Sequence, residues 1–187
     1  MINYKLIDNS INYYSRSGFT RIESPWIVSD FIDQKTKPKG IQSFVVQHLN
    51  QNLVASGEQS FLSLYLNESL PKGKFQTVTP CFRDDPVDYL HKQHFIKNEL
   101  IQTENVNINS LIEMINIAFS FYSSYFKQVR VVEVENKVQY DIFVDEYELG
   151  SYGIRKCEFL EWIYGTGCAE PRTSSLLKKY GNKWHTI

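Results

Sequence analysis

The stretch YGTGCAEPR, Tyr164 to Arg172, decides how this chain is read. Its two glycines, one residue apart, open like a phosphate-cradling loop. No lysine follows at the spacing a P-loop needs, and no third glycine completes a dinucleotide fingerprint. Two readings stay open: a nucleotide site of another kind, or a glycine turn between a strand and a helix. The segments upstream must decide between them.

Working back from Tyr164, the runs VRVVEVE, VQYDIFVD, YELGSYGI and CEFLEWIYG read as adjacent strands, and Pro171 suits the first turn of a closing helix. Leu111, Ile112, Ile115, Ala118, Phe119, Tyr122 and Phe126 fall on one helical face, with Ser110 and Glu113 at capping-box spacing. FQTVTPCFR and HFIKNELIQTENV are strand-like and flank DDPVDYLHK, which predicts a long-looped hairpin. EQSFLSLYLNESL has helical spacing, and short strands are expected around 43–47 and 52–55. KTKPKG, Lys35 to Gly40, reads as a polar loop. At the start, Tyr4, Ile7, Ile11 and Tyr14 recur at helical spacing before Gly18, and FTRIESPWIV reads as a strand ended by Pro25. Adjacent strands predict an α+β fold, an antiparallel β-sheet flanked by helices.

Composition narrows the function classes. A chain of 187 residues predicts one domain, 1–187. Twenty Lys and Arg stand against 21 Asp and Glu, so the basic excess of an autonomous nucleic-acid binder is missing. Cys81, Cys157 and Cys168 form no disulfide framework, and no segment approaches the roughly 20 apolar residues of a membrane span. A soluble cytoplasmic protein is the expectation.

Arg83 after TVTPCF, Glu148 in YELGS and Arg172 after the opening stretch each place a charge on or beside a strand. Taken singly, each is a surface charge or a structural arginine. Converging on one sheet face, they would suit a triphosphate: arginines forking phosphate oxygens, a carboxylate holding magnesium.

In chain order, these segments resemble the class II aminoacyl-tRNA synthetase catalytic core. SGFTRIESP with its helix resembles motif 1, CFRDDPVDYLHKQHFIKNEL motif 2, and GTGCAEPR motif 3. LVASGEQSFLSLYL resembles the Thr-x-Glu segment, without its threonine. YELGSYGIR resembles the Glu-Leu-x-Ser segment of seryl-type synthetases and of ammonia-dependent asparagine synthetase. The resemblance runs from about Tyr4 to Lys179.

The resemblance implies ATP-dependent amino-acid activation with Mg²⁺, giving an aminoacyl-adenylate and pyrophosphate. It assigns Arg83 to the α-phosphate, Asp85 to the place of the family's longer glutamate, and Phe95 to adenine stacking, against the plainer role of an inward strand aromatic. Glu148 with Ser151 would hold the metal, and Arg172 would meet the γ-phosphate or adenine. Glu58 and Glu99 would bind the amino acid's ammonium, and Thr166 would reach its side chain. Gly165 and Gly167 would clear room on the strand for adenine and amino acid, with Ala169 in place of the third motif 3 glycine. Cys168 lies nearby without the Cys, His and Glu set of a zinc pocket.

The motif 1 stripe of Tyr4, Ile7, Ile11 and Tyr14 would make a homodimer interface. Motif 1 near the start and motif 3 near the end leave no stretch for an anticodon-binding domain. The expected acceptor is therefore a carrier-protein thiol, a small amine or ammonia, or a peptide, or a tRNA presented by a partner. The competing reading is a non-catalytic subunit that binds an amino acid or nucleotide and regulates a partner.

Overall fold

The computed structural model describes residues 1–37 and 40–182. Ten strands and five α-helices occur among them. Seven strands form one sheet in the order β1 (Thr20–Arg21), β5 (Lys74–Phe82), β6 (His94–Gln102), β10 (Glu161–Glu170), β9 (Tyr147–Lys156), β8 (Gln139–Val144), β7 (Val129–Glu135). Every pairing in it is antiparallel except β1 with β5. The fold is α+β, as the run of adjacent strands requires.

The period-two alternation of β6 shows how the layers are assigned. Leu100, with Asn98 beside it, faces a core built by α1 (Tyr4–Arg16) and α4 (Ile108–Tyr125), where Tyr14, Met114, Phe121 and Tyr122 meet Tyr152, Ile163 and Cys168. Ile101 faces the opposite core, where α2 (Asp30–Thr36) and α3 (Gly57–Leu66) bring Ile32, Phe61 and Leu62 against Phe75, Trp162 and Tyr164. A small sheet of β2 (Ile27–Val28), β4 (Gln51–Leu53) and β3 (Val45–Val46) lies on this second side, with its Val28, and Val54 just after β4, in the same core. The helices of the second side cover only part of the face, and the uncovered part is the cleft.

Several sequence expectations change. The motif 1 segment is two short strands, not one: Ser24 and Pro25 carry the chain from β1 in the large sheet to β2 in the small one. The Lys35–Gly40 loop begins later than expected, because α2, capped at its start by Ser29 accepting the Ile32 N–H, runs on to Thr36; Pro38 and Lys39 lie outside the described residues. The long helix is capped by Asn107, whose Oδ1 accepts the Ser110 N–H at 3.1 Å, so Ser110 is inside the helix and not its cap. Met114 and Phe121 join its buried face, and Ile112 is exposed. The stripe proposed as a dimer face is largely internal: Ile7 and Tyr14 are buried and Ile11 packs against the same core, leaving Tyr4 outside. The closing helix expected after Pro171 is α5 (Arg172–Tyr180), and residues 183–187 lie outside the described residues.

The motif 3 glycines serve a different purpose from the one expected. A Cβ on Gly165 would sit 2.7 Å from Met114 Sδ and from Tyr152 Cδ1; one on Gly167 would sit 3.0 Å from the Tyr14 ring. Both clear room on the helix side, letting α4 and α1 approach the back of β10. Tyr14 completes that approach by donating its hydroxyl to the Gly167 carbonyl at 3.0 Å.

Candidate active site

A cleft of about 320 Å³ opens on the half-covered side of the sheet. Arg83, Asp85, Phe95, Glu148, Ser151, Thr166, Arg172 and Glu58 all line it, although they come from β4–α3, β5–β6, β9, β10 and α5. Glu99 lies just beneath, bonded to the lining Ser56. The nine residues named from sequence therefore gather in one place.

At the phosphate end, Arg83 leaves β5 and is anchored by donating Nε–H to the Ala55 carbonyl at 2.9 Å. Neither terminal nitrogen has a hydrogen-bond partner among the described residues. The guanidinium carbon lies 5.3 Å from the centre of the Phe95 ring. Arg172 opens α5 directly after Pro171, and its Nη1 pairs with Glu148 Oε1 at 3.1 Å. Glu170 fixes this corner: its carboxylate accepts the Asn3 N–H at 2.9 Å and the Ser174 N–H at 2.8 Å, tying α5 to the start of α1. Leu90, His91 and Pro171 continue this end beyond Phe95, forming an aromatic and apolar slot beside two arginines. Asp88 holds the motif 2 loop that carries His91, accepting two backbone N–H bonds and facing the His91 ring, which lowers its carboxyl to about 2.

Beside Glu148 stands a residue the sequence reading did not single out. Asp141 of β8 pairs in register with Ser151 of β9. Burial raises its carboxyl, the Ser151 hydroxyl opposes that, and the Glu148 charge adds to it. Its Oδ1 is a buried oxygen with no hydrogen-bond partner among the described residues. Two carboxylates and a hydroxyl with an orphaned oxygen form a hard, oxygen-only donor set that fits Mg²⁺. No group of three His, Cys, Asp or Glu side chains placed to hold a metal ion occurs among the described residues. Cys168 faces the helices, its thiol pushed up by burial and by Glu170, away from the thiolate that zinc takes.

The other end of the cleft is a lattice of paired charges. Glu58, buried, accepts the Trp162 indole N–H at 2.6 Å on Oε1 and an Arg155 N–H at 2.5 Å on Oε2. Burial raises its carboxyl while Arg155 pulls it back. Burial disfavours the Arg155 charge too, but the Glu58 carboxylate outweighs it and the guanidinium ends higher than usual. Glu99 accepts from Ser56 Oγ on one oxygen and lies 2.8 Å from Lys97 Nζ on the other. Thr166 sits between, its Oγ1 accepting the Ser151 N–H at 3.4 Å. Glu58 and Glu99 were expected to stand ready for an ammonium group; both oxygens of Glu58 are already engaged by the chain's own donors, whereas the buried Oε1 of Glu99 has the Lys97 charge beside it but no hydrogen-bond partner among the described residues.

Lys97 and Arg155, also missed, were legible in principle. Phe95, Lys97 and Glu99 alternate along β6, as Ser151, Gly153 and Arg155 do along β9, so period two places each on the face of its known neighbours.

This topology has solved counterparts. Cytoplasmic serine-tRNA ligase from Naegleria fowleri, in complex with AMP, superposes with TM-score 0.69 at 19% identity, over 91% of this chain and 46% of that one. Seryl-tRNA synthetase from Pyrococcus horikoshii, complexed with ATP, gives 0.70 at 16% identity, over 92% and 48%. Pyrrolysyl-tRNA synthetase from Desulfitobacterium hafniense gives 0.72 at 16% identity, over 95% and 70%. The chain has the fold of a class II aminoacyl-tRNA synthetase catalytic core. Within that class, the structures it is similar to include seryl- and pyrrolysyl-tRNA synthetases, and it spans about half the length of the seryl enzymes. No family model and no curated protein sequence matches it.

Proposed function

We propose that the cleft activates an amino acid with ATP. A carboxylate oxygen of the acid attacks the α-phosphorus, the bond from that phosphorus to the bridging oxygen breaks, and pyrophosphate leaves with the electron pair. The product is an aminoacyl-adenylate. The observation that carries this reading is the convergence of Arg83, Glu148 and Arg172 with Glu58 and Thr166 on one open sheet face.

Each side chain has a role its surroundings permit. Arg83, pinned through Nε, directs its terminal N–H groups at the charge that grows on the α-phosphate. Arg172 forks a terminal phosphate once it parts from Glu148, and Phe95 stacks on adenine. Glu148, Asp141 and Ser151 would hold Mg²⁺, which when bound neutralises phosphate charge. Asp85 hydrogen-bonds nucleotide from the rim of the same cleft. The chemistry is positioning and electrostatics, with no covalent enzyme intermediate.

The near-neutral charge supports an acceptor other than a tRNA gripped by this chain alone: a carrier-protein thiol, a small amine or ammonia, or a peptide. Homodimerisation belongs to the same proposal, resting on Tyr4 and Trp26, which the motif 1 segment leaves exposed, and sedimentation at micromolar concentration tests it. No helix among the described residues is long and apolar enough to cross a membrane.

Amino-acid-dependent exchange of labelled pyrophosphate into ATP is the test. Arg83→Ala should lower it by about 100-fold or more, the usual loss for one charge-stabilising donor. Exchange that survives Arg83→Ala unchanged overturns the reading.

A further inference from the structure

We propose that Asp33 and Gln59, a buried pair behind the cleft wall, are positioning residues for Arg83. The proposal rests on the adenylate-forming reading above. If Arg83 stabilises the charge that grows on the α-phosphate, the pair that fixes its aim helps to set the rate.

The link is a chain of hydrogen bonds leading from α2 to the Arg83 guanidinium. Asp33 of α2 and Gln59 of α3 are each 1% exposed, and neither lines the cleft. Gln59 Nε2 donates to Asp33 Oδ1 at 2.9 Å and to the Asp33 carbonyl at 3.1 Å. Only the nitrogen of an amide can donate, so these two acceptors fix which way it faces. Its Oε1 therefore turns to the β4–α3 connection and accepts the Ala55 N–H at 2.7 Å. The carbonyl of that same residue accepts the Arg83 Nε–H at 2.9 Å. Ala55 is thus held on both backbone groups, by Gln59 on one and by Arg83 on the other.

A tie between two helices does not need this chemistry. Ile32, Phe61 and Leu62 already join α2 and α3 to one apolar core. A buried carboxylate is costly to desolvate, and an apolar pair of similar volume holds a fold at least as well. Here the carboxylate is kept: Ser43 donates to Asp33 Oδ2 at 2.5 Å, and Lys37 Nζ lies 3.4 Å from the same oxygen. What an apolar pair cannot do is orient an amide. The Asp33 charge makes the Gln59 bond charge-assisted, about twice as strong as a neutral one. Arg83 depends on that precision. Its terminal nitrogens have no hydrogen-bond partner among the described residues, so its aim is set through Nε and Ala55, with the Phe95 ring 5.3 Å away.

The experiment reads Arg83 first and the rate second. In isotope-labelled protein, the Arg83 Nε–H resonance is identified by its absence in Arg83→Ala, and it should exchange its proton slowly with water. Gln59→Met keeps the length of the side chain and should speed that proton exchange about 10-fold or more, the effect of losing a charge-assisted bond. With an equimolar mixture of the common amino acids, the same variant should lower kcat for pyrophosphate exchange about 10- to 100-fold, up to the loss that a misplacement of about 1 Å produces. The KM for Mg–ATP should not change, because the lost interaction belongs to the transition state. Asp33→Asn keeps an acceptor for Gln59 without the charge and should give a smaller loss of the same kind. In the Arg83→Ala background, Gln59→Met should lower kcat no further, since its effect runs through the side chain already removed.

A purely structural pair behaves otherwise. Its loss lowers the urea midpoint but leaves kcat and Nε–H proton exchange of the folded protein unchanged, and either unchanged value overturns the proposal. A kcat loss that is undiminished in the Arg83→Ala background overturns it too. Should Gln59→Met fail to fold, Asp33→Asn carries the same readouts. Failure of the activation reading looks different: Mg–ATP does not bind, or Arg83→Ala leaves pyrophosphate exchange intact. The Nε–H measurement then decides alone, and unchanged proton exchange in the variant overturns the link from Gln59 to Arg83.

Discussion

The two faces of the seven-stranded sheet are made by the same residues in alternation, yet they are opposite environments. Along β6, Leu100 enters a closed apolar core under α1 and α4, whereas Phe95, Lys97 and Glu99 enter or underlie an open charged cleft. On β10, Gly165 touches the helix side and Thr166 the cleft side. On the closed face the constraint is shape, because a core at crystal-like density has no room for one added methyl. On the open face it is charge, because each half-buried carboxylate needs a cation or a donor. A substitution on one face should therefore damage stability, and on the other chemistry.

The sharpest break in this comparison is Arg83→Ala. Its expected loss of exchange, about 2.7–4 kcal/mol of barrier, should come with little change in the urea midpoint. Arg155→Met tests whether the open face also carries stability. It strands the buried Glu58 carboxylate and should cost about 3 kcal/mol in urea unfolding, the low end for breaking a buried pair because the guanidinium is partly exposed. Adding Glu58→Gln should recover most of it. Gly165→Ala is the converse: overpacking against Met114 and Tyr152 should cost about 1–3 kcal/mol of stability while Mg–ATP affinity of the folded protein stays the same. Weakened nucleotide binding with unchanged stability would return Gly165 to the ligand face.

The smallest effect is a pH slope. The folded state raises the Glu58 carboxyl, so the native protein holds this proton more tightly than the unfolded chain does. The associated stability is fully present below the ordinary carboxylate range, about pH 4.3, and is lost as pH rises through the folded value. Glu58→Gln should remove that slope, so wild type loses stability relative to the variant as pH rises from about 4 toward neutrality. Parallel curves would mean that Arg155 fully offsets the burial.

Much of the fold was legible because strands and helices write their periods into the chain. FQTVTPCFR and HFIKNELI announce β5 and β6, and the order of YELGSYGI and CEFLEWIYG announces adjacent antiparallel strands. Helix caps were less legible: Asn107 and Ser110 both have a capping side chain, and only the backbone path decides which one is used. The stripe of Ile7, Ile11 and Tyr14 shows the same limit, since an apolar helix face looks alike whether it meets its own sheet or a second copy.

For the cleft, the sequence by itself determined which residue types stand at which strand positions, because period two fixes the face of Phe95, Lys97 and Glu99, and of Ser151 and Arg155, once one member of each set is placed. Only the tertiary structure decided what those residues meet. Glu58 and Arg155 are 97 positions apart in the chain, as are no neighbours that local periodicity can join, and only β9 running antiparallel to β10 beside Trp162 brings them to 2.5 Å. The YGTGCAEPR glycines show the same division. Their smallness was written in the sequence, but the side that needed it, the helices behind the sheet and not the ligand before it, was settled by how α1 and α4 pack.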